Sequence, residues 1–136
     1  MRFETKIAIA VHADLPVWQK LNVTAFLASS IIGADRELIG QAYEDGSGVR
    51  SLAMFRQPVL VFAGSSEDLT GAYSRIRERN LPFALYTQEM FATGHDDANR
   101  AAGRAVKTEE LVLAGLSLHA DRKDVDRVMK GLSLHP

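Results

Sequence analysis

Lys20 stands in the first turn of a long, otherwise apolar helical segment that spans about Val17 to Ile32. A cation near a helix N-terminus is opposed by the macrodipole. Either the ammonium meets an anionic or polar substrate, or it is a solvated charge whose stem covers apolar surface. At helical spacing Lys20 shares a side with Thr24, Leu27 and Ile31. Thr87-Gln88-Glu89 follows an apolar, strand-like run. Residues just past a strand's C-terminal end line the ligand crevice of α/β sheets; the alternative is a polar loop. Met90 and Phe91, next in the chain, either wall such a pocket or fill the core.

Other constellations carry weaker chemistry. His12-Ala13-Asp14 also follows a strand, and a His–Asp pair serves general acid–base work, but this spacing alone does not make the two side chains meet. His95-Asp96-Asp97 lacks a second histidine at ligand spacing, since His12, His119 and His135 are far away in sequence. Its acids suit a helix N-terminus better. Neither a metal nor a cofactor is expected. Gly64-Ser65-Ser66 joins a strand to a helix, a geometry that can hold phosphate. It matches neither the P-loop nor the dinucleotide fingerprint and reads as a helix cap. Arg75, Arg77, Arg79, Arg100 and Arg104 are diluted by Glu78, Asp96 and Asp97 and read as a solvated face.

These residues need a frame. The 136 residues suit one domain, 1–136. With 16 basic and 17 acidic residues the net charge is −1. That lacks the basic footprint of a nucleic-acid binder, so nucleic acid is not an expected partner. Cysteine is absent. Disulfides and thiolate chemistry are thereby excluded, and a reducing cytoplasm is the expected location. The apolar run Ile7 to Val11 is too short for a signal-peptide core, and no uncharged run reaches a membrane span, which needs about 18 residues.

Continuous apolar runs predict buried strands at Ile7–Val11, Pro58–Ala63, Phe83–Thr87 and Leu111–Leu118. Helices are predicted from about Val17 to Ile32 with Gly33 as terminator, from Ser65 to Arg79, from about Thr93 to Ala105, and from Asp121 to Gly131. Ser65 and Asp68 have capping-box spacing. Segment 41–57 reads as either a small hairpin or a loop. The pentapeptide Gly-Leu-Ser-Leu-His occurs at Gly115–His119 and again at Gly131–His135, too short and too few for a solenoid. The first helix is apolar nearly all round, so a sheet covers one side and a partner chain or second helix must cover the other.

Two stretches carry a family resemblance. Lys6 to Leu15 resembles the opening strand of the archaeal/eukaryotic-type peptidyl-tRNA hydrolases, and Leu111 to Leu134 resembles their closing strand, helix and tail. Pro58-Val59-Leu60-Val61, Tyr86 to His95 and Lys130-Gly131-Leu132 resemble an uncharacterised relative, the domain-of-unknown-function 2000 family. The resemblance covers nearly the whole chain. It implies a three-layer α/β/α domain with a four-stranded mixed sheet, of the peptidyl-tRNA hydrolase II type, and often a homodimer. In those hydrolases the first helix opens with Gly-Lys-x-Ala-Ala-Gln. Here Gln19-Lys20-Leu21-Asn22-Val23-Thr24 stands instead, and only Lys20 matches a catalytic position. The motif Asp-Ala-Gly-x-Thr-Gln lacks a clear counterpart.

The resulting expectation is a hydrolase-like protein acting on a small acyl, ester or amide substrate, with Lys20, Thr87 and Glu89 as catalytic candidates. Asp14, Thr24, Gln88, Met90, Phe91 and His95 are the substrate-binding candidates. The alternative is a non-catalytic module that binds a small molecule or a protein; peptidyl-tRNA hydrolysis itself comes third, opposed by the motif departures and by the net charge. A homodimer is expected in either case.

Overall fold

The computed structural model of the protein describes residues 2–136. In chain order the elements are β1 (Thr5–His12), α1 (Val17–Ala34), β2 (Tyr43–Glu44), β3 (Arg50–Ser51), β4 (Val59–Gly64), α2 (Ser66–Glu78), β5 (Ala84–Thr87), α3 (Asp96–Arg104), β6 (Leu113–Asp121), α4 (Arg122–Val128) and β7 (Ser133–Leu134). Among the described residues, five strands form a mixed sheet in the order β5-β6-β1-β4-β7. β1 is its centre, parallel to β4 and antiparallel to β6. Ile7 to Val11 are buried on both faces of it, which is why that run is apolar without alternation.

α1 covers one face of the sheet, over Ile7, Ile9, Val11 and Tyr86. α2 and α4 cover the other, over Ala8, Ala10, Leu116 and Leu118. The layers are therefore α/β/α, with one core on each side of the sheet. α2 begins with the expected capping box: the Ser65 hydroxyl accepts from the Asp68 amide at 3.1 Å, and the Asp68 carboxylate accepts from the Ser65 amide at 2.9 Å.

The four-stranded expectation is corrected to five. The tail Leu132-Ser133-Leu134 does not hang free: Phe62 pairs with Leu134 and Ala63 with Ser133. An uncovered β4 would present a row of unpaired amides and carbonyls, and the short β7 satisfies part of that row. A two-residue strand carries too little pattern to announce itself. Gly33 does not terminate α1 either. The helix runs on to Ala34 and closes when the Asp35 amide donates to the Ile31 carbonyl. Segment 41–57 contains a hairpin, β2 against β3.

The packing of α1 has a local cause. Val23, Leu27 and Ile31 face the sheet, while Leu21 and Ala25 are exposed. A Cβ on Gly115 would stand 2.7 Å from the Ala10 carbonyl oxygen and 2.8 Å from Val23 Cγ1. Only the absence of that atom lets α1 settle so close to the middle of the sheet. No helix among the described residues is long and apolar enough to cross a membrane.

Candidate ligand cleft

Trp18, Asn22 and Phe26 recur every four residues along α1 and so share one of its flanks. That flank faces the end of β5. There the chain leaves Thr87 in a 3-10 turn, Gln88–Ala92, which carries Met90 and Phe91 inward. Between α1, Tyr86, this turn and the start of α3 lies a cleft of about 320 Å³. Its walls are aromatic. Trp18 meets Phe91 edge-on with ring centroids 6.3 Å apart, Phe91 meets Tyr86 at 5.2 Å, and Tyr86 meets Phe26 at 5.6 Å. Burial pushes the Tyr86 phenol above its ordinary pKa, since the charged form loses hydration there.

The rim is polar. His95 caps α3: its Nδ1 accepts from the Ala98 amide at 3.2 Å. In the neutral ring this leaves the proton on Nε2, a free donor. The Thr93 hydroxyl donates to the Met90 carbonyl at 2.9 Å and sits against the side-chain amide of Asn99, which ties the turn to α3. Asp96 and Asp97 lie at the positive end of α3 and hold Arg100 at 2.5 and 2.6 Å.

The candidates named from the sequence are thus divided. Met90, Phe91 and His95 come together in the cleft. Thr87 ends β5 and Glu89 lies on the turn, both outside the cleft lining, and they share an unusual state. Thr87 Oγ1 and Glu89 Oε2 are the buried side-chain polar atoms without a hydrogen-bond partner among the described residues. A buried polar atom left unpaired costs on the order of 1–3 kcal/mol. Gln88 contributes its backbone amide to the Val112 carbonyl at 2.9 Å, which fixes the turn against β6.

Lys20 and Thr24 lie elsewhere. Lys20 Nζ is 3.3 Å from Nε2 of His135, just past β7. The Thr24 hydroxyl donates to the Lys20 carbonyl at 2.7 Å within the helix. β7 and β5 are the opposite edges of the sheet. Four interstrand spacings, about 19 Å at ~4.8 Å each, separate the strand that anchors His135 from the strand that leads to Glu89. Asp14 is exposed and its amide donates to His12 Nδ1 at 3.1 Å; α1 starts after Pro16 with no side-chain cap.

Trp18, Asn22, Phe26 and Tyr86 are absent from the sequence-derived candidates. For the three on α1 the signal lies in the four-residue spacing of Trp18, Asn22 and Phe26, which puts two aromatics and an amide on one flank. His135 had a signal too, in the repeated pentapeptide. The first copy lies within β6 and the second runs from a turn at Gly131 into β7; His119 reaches the Thr5 hydroxyl at 2.8 Å and His135 reaches Lys20.

A family model described as a protein of unknown function, DUF2000, matches residues 5–136. The chain belongs to the DUF2000 family. A solved structure of a protein of unknown function from Agrobacterium tumefaciens strain C58 is similar throughout, with 45% identity, 99% of this chain and 100% of that chain covered, and a TM-score of 0.97. No curated protein matches the chain. Both descriptions are of proteins of unknown function, so an activity must be argued from the side chains themselves.

Proposed function

We propose that this DUF2000 protein, a domain akin to the peptidyl-tRNA hydrolases in fold, binds a small planar ligand in the cleft between α1 and β5. One observation carries the reading: four aromatic rings in successive contact surround a concave space that Asn22 and His95 also line. Sites for small molecules combine apolar walls with a few placed polar groups in this way. The donor on His95 and the amide of Asn22 select a ring that carries a carbonyl or carboxylate oxygen. Trp18 is the one tryptophan of the chain, so its fluorescence reports on the cleft directly. Titration with aromatic carboxylates and heteroaromatic amides is expected to quench it and to raise the melting temperature. Phe91→Ala should weaken that response at least tenfold. A broad panel that leaves both signals unmoved refutes the reading.

A second reading is hydrolysis of a small acyl ester or amide at Lys20, favoured by the Lys20–His135 contact. A cation aimed at a developing oxyanion lowers the barrier. In this reading Lys20 acts without Thr87 and Glu89, which belong to the opposite edge of the sheet. Purified protein that turns over N-acyl amino esters no faster than Lys20→Ala rules it out. We place the protein in the cytoplasm, on its lack of cysteine, and read it as a homodimer, on the uncovered side of α1.

A further inference from the structure

The hairpin of β2 and β3 and the outer face of α1 share one property, apolar surface without cover. Every residue from Gly40 to Leu52 is exposed. β2 and β3 pair with each other, Tyr43 with Ser51 and Glu44 with Arg50. The tip is nonetheless well formed: the Asp45 carboxylate accepts from the Ser47 and Val49 amides, each at 2.9 Å. The root is fixed as well. Ile39 bridges to Phe55, the Gly40 amide donates to Met54 and the Arg56 amide to Leu38, both at 2.9 Å. This is an arm, anchored and extended. A lone two-stranded hairpin is marginal in water, and this one displays Tyr43, Val49, Leu52 (88% exposed) and Met54.

The outward side of α1 presents Trp18, Leu21 (67% exposed), Ala25 and Ser29. Lys20 is the single charge between Val17 and Ala34, and it turns away to His135. A solvated helix face ordinarily carries charges.

We propose that the arm of one copy lies across the outer face of α1 in a second copy, and that the exchange is mutual. This rests on the dimer reading above and specifies its surface. Area supports it. The exposed parts of the arm's four apolar side chains, with Val17 and Leu21, amount to on the order of 700 Å², taking roughly 150–250 Å² for a whole large side chain. One partner in a standard interface contributes about 800 Å². Symmetry supports it too. Arm and helix belong to the same chain, so a two-fold pair covers both copies of each, and the assembly closes. Placing the arms on unlike partners would leave the helix faces bare.

Sedimentation of the full chain at roughly tens of micromolar, well above the affinity of a specific interface, tests the exchange. Wild type is expected at twice the monomer mass. The double substitution Leu52→Glu with Met54→Glu, in the exposed arm, is expected to halve that mass while the circular dichroism melt stays cooperative. Leu21→Glu should do the same from the other surface. A photoreactive amino acid in place of Leu52 should join that position to residues 17–34 of a second copy. Monomeric wild type overturns the dimer and the arm exchange together. A dimer that survives the arm substitutions, or crosslinks that join arm to arm, overturns the exchange and leaves the dimer standing.

Discussion

Lys20 Nζ stands 3.3 Å from His135 Nε2, and the same imidazole has its Nδ1 2.9 Å from the Pro136 carbonyl. Nδ1 must donate to that carbonyl, so Nε2 is the lone pair that accepts from the ammonium. The first helix is thus joined to the residue after the last strand, and the one charge of α1 is held in a single direction.

That arrangement gives the hydrolysis reading its sharpest form. If Lys20 stabilises an oxyanion, Lys20→Met should lower turnover of an N-acyl ester by about 10²–10³. His135→Ala, which frees the lysine from its direction, should lower it less. Both variants should keep wild-type stability to within about 1 kcal/mol, because an exposed polar contact contributes little to folding. Steady-state rates and urea melts on the same preparations check this.

Two glycines should respond oppositely to alanine. Gly115→Ala places a methyl 2.7 Å from the Ala10 carbonyl oxygen and 3.0 Å from Leu27 Cδ1, so α1 must lift or β6 must shift. We expect a loss of about 1–3 kcal/mol. Gly33→Ala meets nothing within 4 Å and lies in helical backbone, where we expect a gain of about 0.5–1 kcal/mol. Denaturant midpoints decide both signs.

Arg75 carries the end of α4. Its guanidinium donates to the Val128 carbonyl at 2.9 and 3.1 Å and to the Lys130 carbonyl at 2.8 Å. The Val128 carbonyl is one that the helix end leaves without an intrahelical partner, and Lys130 lies just past that end. Arg75→Met keeps much of the stem and removes the donors. The expected loss is about 2 kcal/mol, since hydrogen bonds from charged groups contribute roughly 1.5–3. Amide hydrogen exchange should rise first around Val128–Leu134, and a uniform rise along the chain would contradict the assignment.

Tyr86 makes stability depend on alkaline pH. Its phenol is raised above the ordinary value of 10.0 by burial. A raised folded pKa means that the native state holds its proton longer than the unfolded chain does. The contribution is therefore complete below pH 10 and is lost as pH climbs from there through the folded value. Melting temperature should fall in that range for wild type and less steeply for Tyr86→Phe. Equal slopes would assign the loss to other groups.

Much of the frame is legible in the residues. Ile7–Val11 and Val59–Ala63 are apolar without alternation, and such runs have few places to go but the interior of a sheet. Ser65 and Asp68 announce the start of α2 because a capping box is local chemistry. Met90 and Phe91 sit beside a strand end, which offers either a pocket wall or core filling, and the structure puts them in the cleft lining. The side of α1 that faces the sheet could not be read. Leu21, Ala25, Ala28 and Ile32 make as good an apolar stripe as Val23, Leu27 and Ile31, and periodicity cannot rank two stripes on a uniformly apolar helix.

The sequence by itself determined the α/β class, the order of the long elements and the turn that feeds the cleft. Those follow from interactions between neighbours in the chain. The tertiary structure alone decided that Gly115 admits Val23 and Leu27, that β7 closes the edge of β4, and that Lys20 meets His135 while Trp18 meets Phe91. Each of these joins residues far apart in sequence, and each depends on shape and register, which no local pattern encodes.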